Sequence, residues 1–314
     1  MRRRPFASLA LAAASLSGLG LSACSSAGST PVAGGAPSVP RLTAGQSATV
    51  TYCNHEQARI SEPPKLNGRA PAVVYVHGGS WVSGDYDTGG FIINRLGPGL
   101  ARYGFVVASV NYRLGPSEPW PAQIVDVKCA IRYLRANAKA LNVNPDEIGA
   151  WGQSAGGHLV SLLGTAGAQA GWDVGAYPGE SSKVQAVVDM AGPTDLLALG
   201  NQGASGLVQD AFISLLGNVP FTSLGRDLQD ASPVSYVAPG DPPFLIMHSD
   251  NDRIVYLDQS QTLDWDLTSA GVPAQLVVVH GGGHEFDQPG EVPDEGTIIN
   301  YVLSFFVKNL HPTP

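Results

Sequence analysis

The sequence predicts an α/β protein, a doubly wound and mostly parallel sheet with helices on both faces. Three observations predict it. Short β-branched apolar runs, such as Ala72 to Val76 and Phe105 to Val110, recur along the chain and read as strands buried on both faces. Stretches with apolar residues three and four positions apart lie between them and read as helices. Several of the apolar runs end in turns rich in glycine, histidine or acid, and the carboxyl ends of strands are where such sheets build ligand sites.

The first segment is not part of that sheet. Arg2, Arg3 and Arg4 precede an apolar stretch from Phe6 to Leu21, closed by Leu21-Ser22-Ala23-Cys24. Residues 1–23 read as an export signal, too short and too polar at its flanks for a membrane span. The ending resembles a bacterial lipobox, which implies lipidation of Cys24 and a protein anchored by lipid at the membrane surface of the cell envelope. An ordinary cleaved signal, with secretion, is the alternative. Arg3-Arg4-Pro5-Phe6 faintly resembles a twin-arginine export motif. Residues 24–47, rich in Ser, Gly, Ala, Pro and Thr, read as a flexible tether. Losing residues 1–23 removes three arginines and no acid, so the formal charge goes from −8 to −11.

Residues 48–314 are expected to form one domain. A chain of 314 residues, 44% hydrophobic and 14% charged, suits a single large α/β unit, and there is no internal repeat. No basic cluster follows the first four residues, which argues against a nucleic-acid partner. Cys53 and Cys129 could form a disulfide in an exported protein, or serve as two small buried apolar residues. Their spacing leaves both open.

Within the domain, Ala48 to Tyr52 alternates like an edge strand, and a turn follows at Pro63-Pro64. Ala72 to Val76 ends in His77-Gly78-Gly79, and Phe105 to Val110 ends in Asn111-Tyr112-Arg113. Pro121 to Leu141 is helical, with Ile124, Val127, Ile131 and Leu134 on one face. Asn144-Pro145-Asp146 reads as a turn into the strand carrying Trp151, and His158 to Leu163 as the helix beyond it. Val184 to Val188, Phe244 to Met247 and Leu276 to Val279 are further strands; Gln259 to Ser269 and Ile298 to Asn309 are the last helices. Gly164 to Lys183 and Leu197 to Asp230 lack clear periodicity and read as active-site loops or a small cap.

The chemistry is carried by Gly152-Gln153-Ser154-Ala155-Gly156, which follows an apolar run and opens a helix. This G-x-S-x-G is the form of a nucleophile elbow, where glycines let neighbouring backbone pass close to an exposed serine. Acyl transfer at Ser154 also needs a base, a group to orient it and donors for the oxyanion. Asp250 and Asp252 compete as the orienting acid in the loop after Phe244 to Met247. Asp252 is favoured because Arg253-Ile254-Val255 follows it. His284, reached across Gly281-Gly282-Gly283, is favoured as base over His280, which abuts the strand end. Backbone N–H groups of Gly79, Ser80 and Ala155 are the candidate oxyanion donors, with His77 more suited to steadying its loop. Trp81 and Phe286 could line a substrate pocket or simply pack the loops. Asp195 and Asp126 read as a turn acid and a helix network residue. The seven histidines show no metal-ligand spacing, so neither metal nor cofactor is expected.

Together, His77-Gly78-Gly79-Ser80-Trp81, Asn111-Tyr112-Arg113-Leu114, the elbow through His158-Leu159, Gly192-Pro193-Thr194-Asp195-Leu196, Ala231-Ser232-Pro233-Val234 and Gly282-Gly283-His284 resemble the α/β-hydrolase superfamily. More narrowly, they resemble its carboxylesterase branch with an H-G-G-x-W oxyanion loop, related to hormone-sensitive-lipase-like and feruloyl-esterase-like proteins. The resemblance runs from about Ala48 to Leu310. It implies an α/β-hydrolase fold with about eight strands and loop insertions as a minimal cap. It implies a serine esterase for small acyl or aryl esters, with Ser154, His284 and Asp252 as triad and no cofactor. Ser80 stands where hormone-sensitive-lipase-like members usually have a third glycine, which speaks against a large lipase-type cap. An amide-bond hydrolase of formamidase or exopeptidase type, and a non-catalytic binding protein, are the competing readings.

Overall fold

The computed structural model describes residues 39–202 and 206–312, and gives no side-chain detail for 90–93. The export signal and Cys24 lie outside the described residues, as does most of the expected tether. The packed chain begins ahead of the expected boundary at residue 48. Leu42 is buried, its carbonyl accepts from Asn142 Nδ2 at 2.9 Å, and Gly45 N donates to Pro63 O at 2.8 Å. Leu42 and the partly buried Val39 both pack against the hydrophobic core.

Eight strands form one sheet: β1 (Ser47–Thr51), β2 (Gln57–Ser61), β3 (Ala70–Val76), β4 (Val106–Val110), β5 (Val143–Gln153), β6 (Ala186–Met190), β7 (Phe244–Ser249) and β8 (Ala274–Val279). Their order is β1-β2-β4-β3-β5-β6-β7-β8. β1 and β2 pair antiparallel, β2 runs antiparallel to β4, and every later pairing is parallel. This is the α/β-hydrolase fold. Alternate residues of one strand serve opposite cores. Ala72, Val74 and Val76 face a cluster shared with α2 (Ala122–Ala136), α3 (Ala155–Thr165) and α7 (Leu257–Ser269). Val73 and Tyr75 face a second cluster with α1 (Gly90–Arg102) and α8 (Glu295–Leu310).

Asn144-Pro145-Asp146 is not a turn but part of β5, where the pairing with β3 shifts register between Ala70 and Ala72. The irregularity gives the proline a place in a strand. Residues 164–183 are not an active-site loop. α3 leaves the carboxyl end of β5 and runs about 16 Å across the sheet. The chain that follows is therefore tied to α2: Lys128 Nζ donates to Ala166 O (2.8 Å), Arg132 Nη1 to Asp173 (3.0 Å) and Arg135 Nη1 to Ser181 O (2.5 Å). The other irregular stretch does hold to its place. It forms three short helices, α4 (Leu196–Asn201), α5 (Gly206–Leu215) and α6 (Gly225–Asp230), between β6 and β7. Cys53 and Cys129 are bonded to each other, with Cα atoms 6.2 Å apart.

Candidate active site

Ser154 stands between β5 and α3 with φ 56° and ψ −123°, a conformation strained for any residue with a Cβ. The glycines around it permit the turn. A Cβ on Gly152 would lie 2.4 Å from Gly156 backbone, and one on Gly156 would lie 2.0 Å from Val76 O. Ser154 N donates to Met190 O at 2.9 Å, which fastens the turn to the end of β6. The serine is partly exposed, while Ala155 is buried behind it at the first position of α3. Helix geometry leaves the first N–H groups of α3 without partners and favours negative charge there.

Beside this turn lies the loop after β3. Gly79, Ser80 and Trp81 all have left-handed φ, at 108°, 53° and 61°. Val82 N and Ser83 N both donate to Gly79 O at 3.1 Å, and the Gly79 and Ser80 N–H groups have no acceptor among the described residues. A Cβ on Gly78 would lie 3.3 Å from Ser154 Cβ, so the loop runs directly alongside the serine. His77 supports it from beneath. Its ring stacks on Tyr112 (centroids 4.3 Å apart), and the Tyr112 hydroxyl donates to His77 O at 3.0 Å. Burial lowers the pKa of His77, and it meets no candidate catalytic group.

The acid and the histidine meet from two neighbouring strands. His284 Nδ1 lies 2.6 Å from Asp252 Oδ2, with both side chains almost wholly buried. The other oxygen of Asp252 accepts from Ile254 N (2.8 Å) and Val255 N (3.0 Å), and His248 Nε2 lies 3.3 Å from Oδ2. Burial pushes this carboxyl up. The hydrogen bonds from His248, His284 and the loop amides outweigh burial and hold it well below the usual carboxylate range. Gln153, the residue before Ser154, donates from Nε2 to His284 O and to Glu285 Oε2, each at 3.0 Å. The histidine loop is thereby fastened to the serine turn. A direct Ser154–His284 hydrogen bond is absent among the described residues, and such contacts often tighten only with substrate bound.

The rival pair comes together elsewhere. His280 Nδ1 lies 2.8 Å from Asp250 Oδ2, and Gly281 N donates to Asp250 Oδ1 at 2.9 Å, all on the exposed surface. Asp195 caps α4 by accepting from Ala198 N at 2.9 Å. Asp126 is fully buried and accepts from Asn54 and Arg113.

A cavity of about 340 Å3 opens at Ser154, lined by Ser80, Trp81, Ala155 and Pro193 on one side and by Leu207, Val208 and Phe212 of α5 on the other. Trp81 thus lines the pocket. Phe286 does not: it is fully buried in the cluster under α1 and α8, on the opposite face of the sheet from α3. Its φ is left-handed at 56°, and its N–H donates back to Gly283 O at 3.4 Å. Sequence reasoning did not single out Gln153, His248 or His158. His248 stands four residues before Asp252 and His158 four after Ser154. In α3, that second spacing places His158 on the face of the helix below the serine.

The BD-FAE family model matches residues 59–267. Esterase LipC of Mycobacterium tuberculosis is 31% identical over 224 residues, 69% of this chain and 53% of its own length. Carboxylesterase NlhH of the same organism is 32% identical over 235 residues, 71% of this chain and 70% of its own. The chain spans about half the length of the first curated relatives it matches. Among solved structures, a truncated carbohydrate esterase from gut microbiota superposes with a TM-score of 0.71 at 28% identity, covering 87% of this chain and 100% of that one. A thermophilic esterase from Thermogutta terrifontis, at 23% identity and a TM-score of 0.68, shares the fold. The chain belongs to the BD-FAE family, built on the α/β-hydrolase fold.

Proposed function

We propose that the protein is a serine carboxylesterase for small acyl or aryl esters. The observation that carries this is the Asp252–His284 pair at 2.6 Å, held by Gln153 against the Ser154 turn. Ser154 attacks the ester carbonyl while His284 Nε2 takes its proton. Asp252 orients the imidazole and stabilises the imidazolium that forms. The N–H groups of Gly79, Ser80 and Ala155 receive the developing oxyanion. The tetrahedral intermediate collapses as His284 protonates the leaving alcohol, and water then releases the acyl-enzyme by the same proton route. The named relatives being esterases supports ester over amide cleavage. The mainly apolar lining of the cavity favours uncharged acyl groups of modest size.

The test is hydrolysis of p-nitrophenyl acetate and butyrate by the wild type and Ser154→Ala. Loss of the nucleophile is expected to lower kcat by on the order of 10⁴- to 10⁶-fold. Equal rates in the two proteins would end the proposal. Export, with lipid attached at Cys24, is proposed on the sequence alone. Fatty-acid labelling of the wild type that disappears in Cys24→Ala is the expected result, and an unlabelled wild type would contradict it.

A further inference from the structure

We infer that His158 is a positioning residue that holds the oxyanion loop in its catalytic shape through the Trp81 indole. The inference rests on the esterase reading above.

Three consecutive left-handed residues, two of them with side chains, do not persist without restraint. Trp81 supplies restraint at the end of that turn. It is 3% exposed, its carbonyl accepts from Gly115 N at 2.9 Å, and its ring lies edge-on to His158 with centroids 5.1 Å apart. Trp81 Nε1 donates to His158 Nδ1 at 3.1 Å. An indole N–H can only donate, so Nδ1 must be the bare nitrogen. The single ring proton is then on Nε2, which lies 2.7 Å from Ala231 O and donates to it. Both ring nitrogens are used and only one tautomer fits.

His158 therefore ties three parts of the site together. Its backbone N–H donates to Ser154 O at 3.0 Å, its Nδ1 holds the loop that carries Gly79 and Ser80, and its Nε2 holds the end of the α4–α6 insertion. The side chain is fully buried, and burial keeps the imidazole neutral by lowering its pKa to about 4. Protonated Nδ1 would set N–H against N–H, so neutrality is what the Trp81 bond requires. A shift of about 1 Å in a positioned group costs on the order of 100-fold in rate. Losing donors aimed at the oxyanion lowers kcat while leaving substrate affinity nearly unchanged.

The experiment compares His158→Leu, His158→Asn and Trp81→Phe with the wild type. Each is assayed on p-nitrophenyl acetate, with kcat expressed per fluorophosphonate-titrated site so that misfolded protein does not count. Leucine removes the acceptor. Asparagine keeps an oxygen acceptor at the same branch length as Nδ1. His158→Leu is expected to lower kcat by roughly 10- to 100-fold with KM changed less than about threefold. His158→Asn is expected to recover most of that loss. Trp81→Phe in the His158→Leu background should cost little more than either change alone. If His158→Leu does not fold, Trp81→Phe and His158→Asn decide: a kcat per site that stays at wild type in Trp81→Phe overturns the inference. So does a His158→Leu kcat per site equal to wild type, or a His158→Asn as impaired as His158→Leu. A wild type with no esterase activity defeats the esterase reading instead, and is told apart by that control.

Discussion

Asp250 and Asp252 lie two residues apart, yet they hold different histidines. Asp252 is buried and paired with buried His284, whereas Asp250 is paired with exposed His280. The loop amides of Ile254 and Val255 and the ring of His248 are directed at Asp252. An acid so supplied stays ionised and can stabilise an imidazolium; the surface pair is screened by water and contributes little. Asp252→Asn is therefore expected to lower kcat by about 10³- to 10⁴-fold on p-nitrophenyl butyrate, and Asp250→Asn by less than about twofold. A comparable loss in both would contradict the assignment. The order of serine, acid and histidine was legible in the sequence because each follows a recognisable apolar run. Which acid meets which histidine depends on how the loops after β7 and β8 cross. The roles of Gln153 and His158 depend on contacts with residues more than 70 positions away.

The serine turn is set by the close approach of β3 to α3. A Cβ on Gly156 would lie 2.0 Å from Val76 O, backbone against backbone, so no side-chain rotation relieves it. Gly156→Ala is expected to cost at least about 2–3 kcal/mol in urea denaturation, by forcing the strand and helix apart. Gly179→Ala serves as the control, since nothing lies within 4 Å of its Cβ position; a change under about 0.5 kcal/mol is expected. Equal stability of Gly156→Ala and wild type would mean that the turn is not packed as described. The buried parallel strands were legible from their β-branched runs. α1 was not, because Gly97, Pro98 and Gly99 sit inside it and depress helix propensity. It forms because Leu96 and Leu100 pack into the second core. β2 was missed because a five-residue strand, Gln-Ala-Arg-Ile-Ser, has only two buried side chains to show its period.

Across the whole molecule, the disulfide ties the antiparallel edge of the sheet to α2. Cys53 lies between β1 and β2, and its partner is 76 residues further on. Closing a loop of that length in the unfolded chain stabilises the fold by about 4 kcal/mol. Cys129→Ala is thus expected to lower Tm by about 8–15 °C; a Tm unchanged by the substitution or by reductant would remove the bridge from the account. The sequence left this pairing open because distance between two loops is a property of the folded chain. The pocket was equally hidden, since its outer wall is α5, a helix with weak periodicity that only the folded chain brings beside Trp81. The central claim is that this fold makes one serine nucleophilic. Its most direct test is reaction of the intact protein with a fluorophosphonate, followed by peptide mass analysis. One adduct per chain, located on Ser154, is the predicted result. An unmodified protein, or an adduct on another serine, would contradict it.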